Sequence, residues 1–149
     1  MSNLLIQNGR IVDPASGLDS HQSLLIREGR IAATGESADA ALDAETQVLD
    51  AKNLVISPGL IDIHVHFREP GQSAKETIGT GSKAAAQGGF TTVVCMPNTT
   101  PAIDNPGTVA LIQDKVEKDA LIHVHTTGAI TRDIAGESLA PIGSLHEAG

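Results

Sequence analysis

A chain of 149 residues, 40% hydrophobic, with a net charge of −8 and a pI near 5.0, is sized for one globular domain or a small pair. Its acidic balance argues against nucleic acid or an anionic membrane as the main partner, though a local arginine could still hold a small anionic ligand. No apolar run approaches the ~20 residues of a membrane span, the start "MSNLLIQNGR" lacks the build of a secretory signal, and the single cysteine, Cys95, excludes an internal disulfide framework. These features lead us to expect a soluble, cytoplasmic protein.

The first fifty-odd residues read as short strands and turns. "LLIQNGRIVD" (4–13) and "LLIREGRIAA" (24–33) share the pattern LLI-x-x-G-R-I. Each places two apolar runs around a glycine-containing turn, which predicts two similar hairpins. "TQVLDAKNLVISPG" continues in the same style. Residues 1–56 are therefore expected to form a small β module, part of a β-sandwich.

The pattern changes at "SPGLIDIHVHF", where Pro58-Gly59 breaks the chain and a strand follows. Strict alternation would place Ile61, Ile63, Val65 and Phe67 on one face and Leu60, Asp62, His64 and His66 on the other. In "SAKETIGTGSKAAAQGG", Ser73 and Glu76 have the spacing of a capping box and Gly88-Gly89 supplies a stop, which predicts a helix of about fourteen residues. "FTTVVCMPN" (90–98) reads as a second strand, with Cys95 as a small buried hydrophobe. In "IDNPGTVALIQDKVEKD", Asn105 caps a second helix, Pro106 suits its first turn, and Val109, Ile112 and Val116 form its apolar stripe. "LIHVHTTGAI" (121–130) reads as a third strand, and "SLAPIGSLHEAG" as a loop and the start of a third helix.

Strands and helices that alternate with a period of about thirty residues imply an α/β fold with a parallel sheet. This is the repeat of a TIM (β/α)8 barrel of ~250 residues. Residues 57–149 hold three such units, so the barrel is incomplete in this chain.

His64 and His66 carry the main chemical signal. At i and i+2 on a strand, both rings point to one side, close enough to share a cation such as Zn²⁺. The end of the strand is where (β/α) folds keep their active sites. Asp62 falls on the same predicted face and could orient a histidine ring. Arg68, just beyond, could grip a carboxylate in a bidentate fashion, or pair with Glu69 or Glu76. Asn98 holds the equivalent place one unit later, in "MPNTTP", where ligand binding and an Asx turn are equally open. His123 and His125 repeat the H-x-H spacing without an acidic residue two before or an arginine beyond, and read as a mixture of lining and surface histidines, with metal ligation the lesser alternative. His21 and His146 carry no signal. "AAAQGGF" follows a helix and precedes a strand, the wrong order for a phosphate loop.

Taken in order, "NGRIVDP", "PGLIDIHVHFREPG", "KETIGTGSKAAAQGGFTTVVCMPNTTP" and "GAIT" resemble the dihydroorotases of the amidohydrolase superfamily over nearly the whole chain. P-G-x-x-D-x-H-x-H marks only the superfamily; R-E-P-G, K-E-T-I and M-P-N-T narrow the likeness to dihydroorotase. The resemblance implies reversible hydrolysis of L-dihydroorotate to N-carbamoyl-L-aspartate in pyrimidine biosynthesis, with one or two Zn²⁺ per site. It implies His64 and His66 as metal ligands and Arg68 and Asn98 as holders of the small anionic substrate's carboxylate. It also implies a bridging ligand from a fourth strand, further histidines from the fifth and sixth, and a catalytic carboxylate from the eighth. None of these lies within the 149 residues, so the piece by itself is expected to be inactive. The complete protein is expected to be a homodimer. The alternatives are another cyclic amidase, a hydantoinase or allantoinase, which Arg68 disfavours; a non-catalytic partner of aspartate transcarbamoylase; and a short standalone binding module.

Overall fold

The computed structural model describes residues 3–41 and 43–149. The chain divides into two compact units, Met1–Pro58 and Gly59–Gly149.

The first unit contains β1 (Leu4–Gln7), β2 (Arg10–Asp13), β3 (Leu18–His21), β4 (Leu24–Arg27), β5 (Arg30–Thr34), α1 (Glu36–Ala40), β6 (Gln47–Asp50) and β7 (Val55–Ile56). The strands form two sheets, ordered β5-β4-β1-β6 and β3-β2-β7. Of the two expected hairpins, only the second forms. There β4 and β5 pair antiparallel around Glu28 and Gly29, whose φ values of 50° and 74° suit a tight hairpin turn. At the first position β1 and β2 enter different sheets. The later strands decide this: β6 adds in parallel to β1 and β7 adds in parallel to β2. The Asn8-Gly9 step thus crosses between sheets. The Asn8 amide donates to Asp50, and Gly9 packs so tightly on Ile56 and Ala51 that no side chain would fit. Leu5 and Leu25 pair in register and, with Ala38, form the unit's buried centre.

The second unit runs β8 (Leu60–Val65), α2 (Ile78–Gln87), β9 (Phe90–Cys95), α3 (Pro106–Asp119), β10 (His123–Thr126), a 3-10 turn (Arg132–Ile134) and α4 (Ile142–Ala148). The three strands are parallel in the order β10-β9-β8, as the alternation predicts. Val65, Cys95 and Thr126 stand in one row, so the strand ends are level. Phe67, Ile78, Val93, Ile103, Ile112 and Leu145 are among the buried residues that join the strands to the helices. Cys95 is buried with them, and burial pushes its thiol up to about 11.

Two local expectations change. Helix α2 starts at Ile78, and its capping box is Thr77–Thr80. The Thr77 hydroxyl accepts the Thr80 N–H at 3.1 Å, and the Thr80 hydroxyl accepts the Thr77 N–H at 2.9 Å. Ser73 does not cap, because its hydroxyl donates to Glu69 at 3.2 Å. The helix is therefore 10 residues long, not fourteen, and stops at Gly88-Gly89 as expected. Helix α3 follows its sequence signals: Asn105 Oδ1 accepts the Thr108 N–H at 3.0 Å, Pro106 opens the helix, and Val109 and Ile112 are buried.

Strand β8 also departs from strict alternation. Its pairing with β9 is irregular, shifting between Leu60 and Ile61 and back between Asp62 and Val65, so that Leu60 and Val65 stand opposite Phe90 and Cys95. Val65 and Phe67 enter the core, while Ile61 and Ile63 are 64% and 73% exposed. The candidate site lies at the end of this strand.

Candidate metal and carboxylate site

His64 and His66 both reach the surface at the end of β8, with ring centroids 5.1 Å apart and planes at 60°. Two imidazoles bound to one tetrahedral Zn²⁺ through Zn–N bonds of about 2.0–2.1 Å would place their ring centres roughly 5 Å apart. The pair thus fits two corners of a zinc site. Among the described residues no group of three or more His, Cys, Asp or Glu side chains could complete it.

Asn98, 32 residues later in the chain, is brought onto His66. Its Oδ1 lies 2.8 Å from His66 Nδ1. With the hydrogen on Nδ1, the ring donates to the amide oxygen and presents the Nε2 lone pair outward. The Asn98 amide nitrogen keeps its donors for another ligand. The sequence pointed to Asn98 but not to this contact, since neither histidine spacing nor local turn chemistry contains it.

Asp62 is placed differently from the expectation. Its carboxylate accepts the backbone N–H of His64 at 2.9 Å, and no hydrogen bond joins it to either ring among the described residues. In this arrangement Asp62 holds the backbone beneath His64.

Arg68 is exposed immediately past the strand and forms no ion pair among the described residues. The neighbouring Glu69 pairs with Lys115 at 2.7 Å and does not engage Arg68. Burial pushes the Glu69 carboxyl up, but Lys115, the Ile78 N–H and the Ser73 hydroxyl outweigh it and hold the group below the usual glutamate range. The site therefore offers two imidazoles, one of them oriented, beside an uncommitted guanidinium. This is a set suited to a metal and a carboxylate-bearing ligand. His123 and His125 are also exposed, on β10, two strands from His64 and His66.

Residues 53–149 match the family model described as dihydro-orotase-like. The dihydroorotase of Citrifermentans bemidjiense is 47% identical over 147 residues, 99% of this chain and 34% of that protein. That of Elusimicrobium minutum is 46% identical over 145 residues, 97% of this chain and 33% of that protein. The solved L-hydantoinase (dihydropyrimidinase) from Arthrobacter aurescens superposes with a TM-score of 0.79 at 25% identity, over 100% of this chain and 32% of that one. A D-hydantoinase (dihydropyrimidinase) from a Thermus species gives 0.70 at 29% identity, over 97% of this chain and 30% of that one. The chain spans about a third of the length of the curated relatives it matches.

Proposed function

Because this chain belongs to the dihydro-orotase-like family, we propose that it is the N-terminal third of a zinc-dependent dihydroorotase, which interconverts L-dihydroorotate and N-carbamoyl-L-aspartate in pyrimidine biosynthesis. In this reading residues 57–149 form the first three units of a (β/α)8 barrel, and residues 1–56 belong to a β-sandwich. One observation carries the functional reading: the His64–His66 pair, with His66 held by Asn98, is followed two residues on by Arg68, which forms no ion pair among the described residues.

His64 and His66 hold the metal. When bound, zinc supplies Lewis-acid chemistry, activating water and polarising the ring amide carbonyl. Asn98 fixes the His66 ring through Oδ1 and turns its amide nitrogen to the substrate. Arg68 grips the substrate carboxylate with two parallel N–H donors. This anchor orients the ring amide toward the metal, a gain from positioning that a substrate without a carboxylate cannot draw on. The remaining ligands and the proton-transferring carboxylate come from outside these 149 residues, so the chain alone does not turn over. The complete enzyme is a cytoplasmic homodimer that acts on small anionic substrates. Association with aspartate transcarbamoylase is the alternative role.

The test is an assay of the longer protein that contains this segment, with zinc quantified per chain. L-dihydroorotate is the expected preferred substrate over hydantoin and allantoin. Arg68→Gln is expected to lower kcat/KM by on the order of 10²-fold, from the loss of charge-assisted hydrogen bonds totalling about 3 kcal/mol. A preference for hydantoin or allantoin, or turnover by the 149-residue chain alone, would overturn the proposal.

A further inference from the structure

Glu69 follows Arg68 directly and is the one charged side chain in the buried class among the described residues, at 7% exposure. A carboxylate removed from water needs strong partners, and Glu69 has three. Oε1 accepts from Lys115 Nζ at 2.7 Å and from the Ser73 hydroxyl at 3.2 Å, and Oε2 accepts from the Ile78 N–H at 3.0 Å. Ile78 is the first residue of α2 and Lys115 lies in α3, so one side chain ties the strand-end loop to two helices. The carboxylate also meets the positive end of the α2 dipole.

The same loop is stitched to the segment after Asn98. Gln72 N–H donates to the Arg68 carbonyl at 2.8 Å, and Thr100 N–H donates to the Pro70 carbonyl at 3.2 Å. Gly71, at φ 98°, packs against Thr100 with no room for a side chain. The loop that carries Arg68 is thus closed on itself by Gln72, held to Thr100, two residues past Asn98, and anchored at Glu69. The Thr77–Thr80 box takes up the Thr77 and Thr80 N–H groups, and Glu69 takes the Ile78 N–H that the box leaves free; capping of α2 does not call for the Lys115 ion pair.

We propose that Glu69 is a positioning residue that fixes Arg68 relative to Asn98 and so sets the affinity of the site for the substrate carboxylate. The inference rests on the reading of Arg68 as the carboxylate anchor. Loss of the tie leaves the guanidinium in place but frees its backbone, so binding weakens while the chemistry at the metal is spared.

The experiment uses the longer, zinc-loaded protein with L-dihydroorotate as substrate. Glu69→Gln keeps the side-chain shape and removes the ion pair; Lys115→Met breaks the same pair from the other side, so failure of one variant to fold leaves the other to decide. Each is expected to raise KM about tenfold, with kcat changed less than twofold and zinc content unchanged. In an Arg68→Gln background, Glu69→Gln is expected to change KM no further. Two results overturn the inference: kcat falling with KM unchanged, or the same rise in KM with and without Arg68. If Arg68→Gln alone leaves kcat/KM unaltered, the carboxylate reading itself fails, and the two failures are told apart.

Discussion

Gly81 on α2 offers a sharp test of the packing beneath the site. A Cβ at this position would lie 2.6 Å from Phe67 Cε1 and 2.7 Å from Cδ1. Carbon atoms rest at about 3.5–4.0 Å, so Gly81→Ala forces the ring to move by roughly 1 Å. Alanine gains about 1 kcal/mol over glycine as a helix former. Against this, overpacking a dense core costs about 1–3 kcal/mol. Phe67 is buried among residues such as Ile78, which is 1% exposed, so the ring has little space to yield. The clash should win, for a net loss of about 1 kcal/mol. Gly143 on α4 is the control, since a Cβ there meets nothing within 4 Å. Gly143→Ala should stabilise by up to about 1 kcal/mol. The chain has no Trp and no Tyr, so urea unfolding is best followed by far-ultraviolet circular dichroism. With a slope of about 1–2 kcal/mol per molar urea, the Gly81 variant should unfold roughly 0.5–1 M earlier than the parent and the Gly143 variant later. Equal or greater stability of Gly81→Ala would refute the reasoning. Phe67 lies between His66 and Arg68, so the same displacement should also weaken zinc binding in the longer protein.

Other expectations follow from particular contacts. Asn98→Ala releases His66 Nδ1 and should lower zinc affinity in the longer protein roughly 10–100-fold, as read by chelator competition; unchanged affinity would remove Asn98 from that role. Against its burial, Lys115, the Ile78 N–H and the Ser73 hydroxyl hold Glu69 below its ordinary value of 4.5, so the unfolded chain binds the extra proton first. Its contribution to stability is therefore full above that value and fades as pH falls through the folded one. Unfolding midpoints measured from pH 6 to pH 3 should fall more steeply for the parent than for Glu69→Gln, and parallel curves would contradict this. Cys95, buried and pushed up to about 11, should resist iodoacetamide at pH 8 until urea is added. Labelling of the folded chain at the unfolded rate would show that the strand end opens.

The sequence by itself determined what depends on neighbours along the chain. Asn105-Pro106 predicts the start of α3 because an Asx cap acts over three residues and proline is already preset for the first turn. Gly88-Gly89 predicts the end of α2 for an equally local reason. The alternation of apolar runs predicts a parallel sheet, and i, i+2 spacing predicts that His64 and His66 come together. Only the tertiary structure decided the rest. The capping box at Ser73 had a rival four residues on, and Glu69 captured the Ser73 hydroxyl, leaving Thr77 and Thr80 to cap. The first hairpin gave way because strands some forty residues later offered both of its arms a parallel partner. Asp62 met the His64 N–H, a contact that simple alternation does not contain. Asn98 met His66 across 32 residues, and Glu69 met Lys115 across 46. Local signals fix which elements form, because capping, turns and periodicity act within a few residues. Which polar groups pair is settled when the elements pack, since a buried donor or acceptor must take whichever partner the fold brings within reach.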